Sequence, residues 1–213
     1  MTIHTLTTVP VPPRPDIYGE ADHRIANSLQ TISSLVRIRA RNFENADPKV
    51  FLSEVADRIE TLGKLHRLLS HSPSGAIVLA DYLQEICDRL TSALGDSKVD
   101  IAFVCSPRIA VASRVAMSLG LIVAELISNS LKYAHPTGLP VAINLSCIAE
   151  RHNAVRLAYE DDGVGFPENF NFAGDGHLGM RFIASLGESL RCTPRWRSDP
   201  LGVRFEIEVP LTS

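Results

Sequence analysis

The apolar residues recur every three or four positions from Ile25 to Leu69, whereas after Gly75 helical stretches alternate with stretches of period two; this change of period restricts the fold more than any other feature. Ile25, Leu29, Ile32 and Val36 form one narrow seam, and Leu52, Val55, Ile59, Leu62 and Leu69 form a second, with His66 in its remaining slot. Narrow seams of this kind suit helices packed lengthwise. The spacing predicts a helix from about Ile17 to Asn42, broken by "NADPKV", and a second helix with Asp47 as cap and Pro48 at its first position, ending around "SHSPSG". Together they make an antiparallel hairpin over residues 17–74 that has one apolar face to spare. A second copy would cover that face in a four-helix bundle, so a homodimer is expected. Residues 1–16 hold four of the thirteen prolines and read as a flexible Pro-rich tail.

A domain boundary is expected near residues 72–77, and residues 75–213 read as a separate α+β domain. Leu83, Ile86, Cys87, Leu90 and Leu94 predict a helix, and Val99, Ile101, Phe103 and Cys105 a strand. A long helix is expected from Ser113 to Ala134 and another from Leu178 to Leu186. Strands are expected at Val141 to Cys147, Val155 to Tyr159 and Val203 to Val209.

With a formal net charge of −3, the chain lacks the basic surplus of a dedicated nucleic-acid or anionic-membrane binder. The four cysteines are far apart and form no C-x-x-C pair, which predicts reduced thiols rather than a zinc site or disulfide framework. The N-terminus has no basic start followed by an apolar stretch, and no run of about 18 apolar residues stands out, so a cytosolic location is expected.

Four stretches carry chemistry. In "DHRIANSLQ", residues 22–30, His23 and Asn27 stand one helical turn apart, so the amide of Asn27 can hold one imidazole nitrogen and leave the other free as a nucleophile. Taken alone, the stretch reads more readily as an exposed polar helix start. "ELISNSLKYA", residues 125–134, aligns Glu125, Asn129 and Lys132 at helical spacing: a carboxylate to order water, an amide carbonyl to ligate magnesium and a lysine to meet phosphate. An amphipathic helix can also expose them without function. "YEDDGVGF", residues 159–166, ends a strand with Asp161, Gly163 and Gly165, where backbone can approach a ligand and a carboxylate can accept from an exocyclic amine; a tight turn needs the same glycines. "GDGHLGM", residues 174–180, places Gly176 and Gly179 at a helix start, where amide groups can receive phosphate.

The order of these three later motifs resembles the ATP-binding domain of the GHKL superfamily over residues 77–211. With "HRIANSLQ" and "LGKLHRLLS" on the hairpin, the resemblance narrows to HRxxN-type sensor histidine kinases. It implies a GHKL-type α/β sandwich after the hairpin, ATP and Mg²⁺ as cofactors, phosphorylation of His23, and transfer to an aspartate of a response-regulator receiver domain. By the same resemblance Asn129 holds magnesium, Asp161 reads the adenine amine, Gly163 and Gly165 line the base pocket, and Gly176 and Gly179 meet the phosphates. Asp22 is the candidate acid beside His23, since Arg24 takes the following position. Ala26 and Ser28 depart from the usual motif, Gly202 stands alone where the family has a glycine pair, and ten residues between Gly165 and Gly176 make a short lid.

The reading places no sensor domain before the hairpin, so input is expected from a separate partner, from the tail or from protein outside this chain. Two other functions remain: an ATP-independent histidine phosphotransfer protein of the same architecture, and a GHKL module that sequesters a partner.

Overall fold

The computed structural model describes residues 48–69, 76–94, 98–135, 138–167, 170 and 178–211. The expected tail and first hairpin helix lie outside them. Helix α1 spans Pro48–Leu69, beginning at the proline whose fixed φ suits a first helical turn. Strand β1 (Ala76–Val78), helix α2 (Leu79–Leu94), β2 (Val99–Cys105) and β3 (Ala110–Ala112) follow, then helix α3 (Ser113–Tyr133), β4 (Val141–Glu150) and β5 (Ala154–Asp161). Helix α4 (Leu178–Ser189) and strands β6 (Arg195–Asp199) and β7 (Gly202–Pro210) complete the order.

Five strands form a mixed sheet in the order β2-β4-β5-β7-β6, with β2 and β4 parallel and the other pairs antiparallel. β1 and β3 make a separate antiparallel pair. The helices cover one face of the larger sheet, giving the α+β sandwich that the alternating pattern predicts. The register explains what lies beneath them. Phe103, Leu145, Tyr159, Phe205 and Trp196 are consecutive cross-strand partners, so one row of large side chains crosses the whole sheet. Because strand side chains alternate, the next inward position on β5 is Asp161, at the strand's end, paired with Ile143. It is 5% exposed, a carboxylate placed by the same alternation that fills the core.

Helix α3 is the spine. Leu119, Ile122, Val123 and Ile127 are fully buried, and the helix is long and apolar enough to cross a membrane by length and composition. Yet 72% of its apolar window is buried within the molecule, as befits a core helix that touches both α2 and α4. The four cysteines are free, with Cys87 and Cys147 buried; burial pushes the Cys87 thiol up to about 12.

The seam on α1 divides. Leu65 and Leu69 enter the same core as α2 and α3, each contributing up to about 2 kcal/mol by burial. Leu52 and Ile59, by contrast, are 63% and 49% exposed. The end of the hairpin helix is thus part of the body of the α+β domain, although the expected boundary at 72–77 falls between α1 and β1. Short β1, β3 and β6 were not among the expected strands. β6 carries the sequence RWRSD, in which only Trp196 and the backbone meet the sheet's inner side, so it offers no apolar alternation to read.

Candidate functional site

The C-terminal part of α3 and the ends of β5, β6 and β7 enclose a cleft of about 570 Å³, open mouth included. α3 contributes Leu126, Asn129, Ser130 and Tyr133; β5 contributes Tyr159 and Asp161; the following loop contributes Gly165 and Phe166. Met180, Trp196 and Val203 close the remaining sides.

Asp161 is held on both oxygens. Its Oδ1 accepts from the amides of Gly163 at 3.1 Å and Val203 at 3.0 Å, while Oδ2 accepts from the Ser130 hydroxyl at 2.5 Å. Tyr159 in turn donates to Ser130 Oγ at 2.7 Å. The two hydroxyls therefore run in one direction, each donating toward the carboxylate, and burial pushes the Tyr159 phenol well above its ordinary range, keeping it a donor. A carboxylate oxygen accepts more than one hydrogen bond, so Oδ2 retains capacity toward the cleft. An apolar slot ending in a fixed acceptor suits a flat aromatic base bearing an amine.

The loop after β5 is fixed from two sides. The Val164 amide donates to the Ala134 carbonyl at 3.0 Å, satisfying a group left over at the end of α3, and the Phe166 amide donates to Ser198 Oγ at 2.7 Å. Gly165 has φ +72°, and a Cβ there would strike the Asp199 carbonyl. Gly202, at φ +139°, has no room for one against the Asp161 carbonyl. A Cβ on Gly163 would overlap Ala134, so this glycine permits the loop to lie directly on α3. Phe166 stacks on Phe170 at 4.6 Å and meets Trp196 edge-on at 6.1 Å; Trp196 packs on Phe205 at 4.7 Å.

Asp162 faces outward and accepts from the Ala142 amide at 2.9 Å and bonds His135 Nε2 at 3.0 Å. Partial burial alone would raise its carboxyl, but the amide and the imidazole together hold it below the ordinary value.

A second cleft lies between α1 and α3, lined by Asp57, Arg58 and Thr61 on one side and Glu125, Ser128 and Lys132 on the other. Arg58 Nη2 donates to Glu125 Oε1 at 2.7 Å. Gly179, in the first turn of α4, packs against this carboxylate so closely that a Cβ there would overlap it.

The sequence-derived candidates are thus distributed over two clefts. Asn129, Asp161 and Gly165 line the first, with Gly163 behind its wall; Glu125 and Lys132 line the second, with Gly179 against Glu125. His23, Asn27, Asp22 and Gly176 lie outside the described residues. Among the described residues no three His, Cys, Asp or Glu side chains gather as a metal site. Sequence reasoning missed Ser130, Met180, Trp196 and Arg58. Ser130 adjoins Asn129 in a quoted motif, but its role depends on which face meets β5; Arg58 left no local signal, its partner being 67 residues away.

A family model described as histidine kinase, HisKA_2, matches residues 20–94, the stretch that contains His23. Sensor histidine kinase PdtaS of Mycobacterium tuberculosis is 28% identical over 178 residues, 78% of this chain and 33% of its own length. Blue-light-activated histidine kinase 2 of Erythrobacter litoralis is 24% identical over 199 residues, 91% of this chain and 57% of its own. In fold, the histidine kinase domain of an Erythrobacter litoralis blue-light-activated histidine kinase superposes with TM-score 0.68 at 24% identity, covering 91% of this chain and 92% of that one. The chain is thus similar in sequence to histidine kinases, most directly over residues 20–94, and similar in fold to their solved domains. The catalytic domain of histidine kinase ThkA, with TM-score 0.55 at 16% identity over 64% of this chain and 95% of that one, shares the α+β part of this kinase fold. The chain spans only about a third to somewhat over half of the length of those curated relatives.

Proposed function

We propose that the protein phosphorylates itself on His23 from magnesium ATP and passes the phosphoryl group to an aspartate of a response-regulator receiver domain. The observation that carries this reading is the fixed Asp161 carboxylate at the end of an apolar cleft, in a chain whose histidine-bearing segment matches a histidine-kinase model. Asp161 accepts from the adenine amine, with Gly163 and Gly165 letting backbone close around the base. Asn129 ligates magnesium held by the phosphates, Lys132 meets a phosphate oxygen, and Gly176 and Gly179 supply amides at the start of α4. Magnesium, when bound, neutralises charge developing on the transferred group.

His23 attacks in line through its unprotonated nitrogen, forming the N–P bond as the bond to the ADP oxygen breaks. Asn27 holds the other nitrogen in the attacking orientation, Asp22 is the group beside it that can receive the proton, and Glu125 orders the surrounding water. The exposed Leu52 and Ile59 support a partner on α1, and we assign it to a second copy forming a four-helix bundle. The protein acts in the cytosol, with its input delivered by another domain or protein.

Incubation with labelled magnesium ATP tests the proposal. The phosphate should be lost in acid, survive base, and vanish in His23→Ala. Asn27→Ala should bind ATP normally but label about a hundredfold more slowly. Label then moves to an added receiver domain. Acid-stable label, or label that persists in His23→Ala, would refute the assignment; a wild type that ignores ATP yet accepts phosphate from a phosphorylated receiver would establish the phosphotransfer alternative.

A further inference from the structure

Arg58 belongs to the hairpin helix, yet its guanidinium is inside the α+β domain. Its side chain is 13% exposed and that of Glu125 10%, and they meet at 2.7 Å across 67 residues of sequence. This differs in kind from Glu60–Lys64 on the same helix, whose side chains are 66% and 57% exposed and whose contribution is correspondingly small. A pair withdrawn from water is costly to break, because either partner alone is left without compensation. Glu125 is also pinned from its far side. Its carboxylate fills the space where a side chain on Gly179 would stand, so it touches the first turn of α4. One carboxylate thus joins three elements: α1 through Arg58, α3 through its own backbone, and α4 through Gly179. Asn129 lies one turn further along α3, on the base cleft.

We propose that Arg58 is a positioning residue for phosphoryl transfer: it fixes the Glu125 carboxylate against the first turn of α4, so that the seating of α1 is transmitted to the phosphate end of the nucleotide site. This rests on the function proposed above. Arg58 does not line the base cleft, so its loss acts on the transfer step and leaves recognition of the base in place. A guanidinium is suited to this task because its planar donors hold a carboxylate in one orientation, while lysine supplies charge with less directional control.

The test compares Arg58→Gln, Arg58→Lys and the surface control Lys64→Gln in the full chain, using labelling by magnesium ATP and hydrogen exchange. Arg58→Gln should lower kcat for labelling by roughly tenfold to a hundredfold with KM for ATP within about twofold, the signature of lost alignment. Its amides over residues 179–182 should exchange faster. Arg58→Lys should recover most of the rate, and Lys64→Gln should match wild type in both readouts. Should Arg58→Gln not fold, the lysine variant carries the test through a rate a few-fold below wild type and intermediate exchange. An unchanged or increased rate in folded Arg58→Gln, a loss confined to KM, or unchanged exchange at 179–182 would overturn the proposal. A wild type that takes no label refutes the proposed function instead, and exchange in the first turn of α4 still decides whether Arg58 holds it.

Discussion

In the first cleft, Asp161 is tied by two backbone amides and a hydroxyl, from a loop, a strand and a helix of one domain. In the second cleft, Glu125 depends on one guanidinium from helix α1, which precedes the sheet in sequence. The first arrangement gives a rigid acceptor whose geometry is set by strand alternation. The second makes a carboxylate sensitive to the placement of a separate element. Under the proposed function, keeping these two kinds of support apart lets recognition of a constant base stand independent of a variable input.

Substitutions at glycines of the two clefts should break this contrast most visibly. Gly165→Ala places a Cβ against backbone at a positive φ, where neither side can yield, and should cost about 3 kcal/mol or more in urea unfolding. Asp161→Asn should be milder for the fold, since the amide oxygen can still accept from Gly163 and Val203 while its nitrogen faces Ser130. Its nucleotide affinity, measured by calorimetry, should fall roughly tenfold to a hundredfold through loss of the charged acceptor. Unchanged affinity would detach Asp161 from base recognition.

Gly179→Ala meets the Glu125 side chain rather than backbone, and that side chain must shift against its Arg58 pair, so its stability loss should be about 2 kcal/mol, less than that of Gly165→Ala. A loss as large as that of Gly165→Ala would mean that the two clefts are equally rigid. The smallest effect concerns Asp162, whose carboxyl is lowered in the folded state and therefore adds stability above the ordinary value of 3.8 that disappears as pH falls through the lowered folded value. Asp162→Asn should cost less than about 1 kcal/mol at pH 7, because the group is half exposed, and the difference from wild type should close in acid unfolding measurements.

The same contrast explains what could be read from the residues alone. The inward rows of β4, β5 and β7 announce themselves by alternation, and Asp161 follows from continuing that alternation one step past Tyr159. The α3 spine is likewise a local pattern, whereas the meeting of Asn129 with that strand end is implied only by the family resemblance of "ELISNSLKYA" and "YEDDGVGF". Trp196 packs against Phe205, but its second role as a cleft wall depends on β6, a hydrophilic edge strand without a periodic signal. The division of the α1 seam was not legible either. Leu52 and Leu69 are equivalent in spacing, and only the tertiary contact with α2 and α3 makes one exposed and the other buried. Arg58 is the extreme case, since an arginine on an amphipathic helix ordinarily reads as solvated.

The row that ends in Trp196 has a practical consequence. The chain contains a single tryptophan, and its ring forms a wall of the base cleft while resting edge-on against Phe205 and Phe166. Its emission therefore has one origin, and a ligand entering beside it changes the polarity and quenching environment of that one fluorophore. Titration of an unlabelled, unmodified protein thus becomes an optical binding assay, with the reporter built into the sheet.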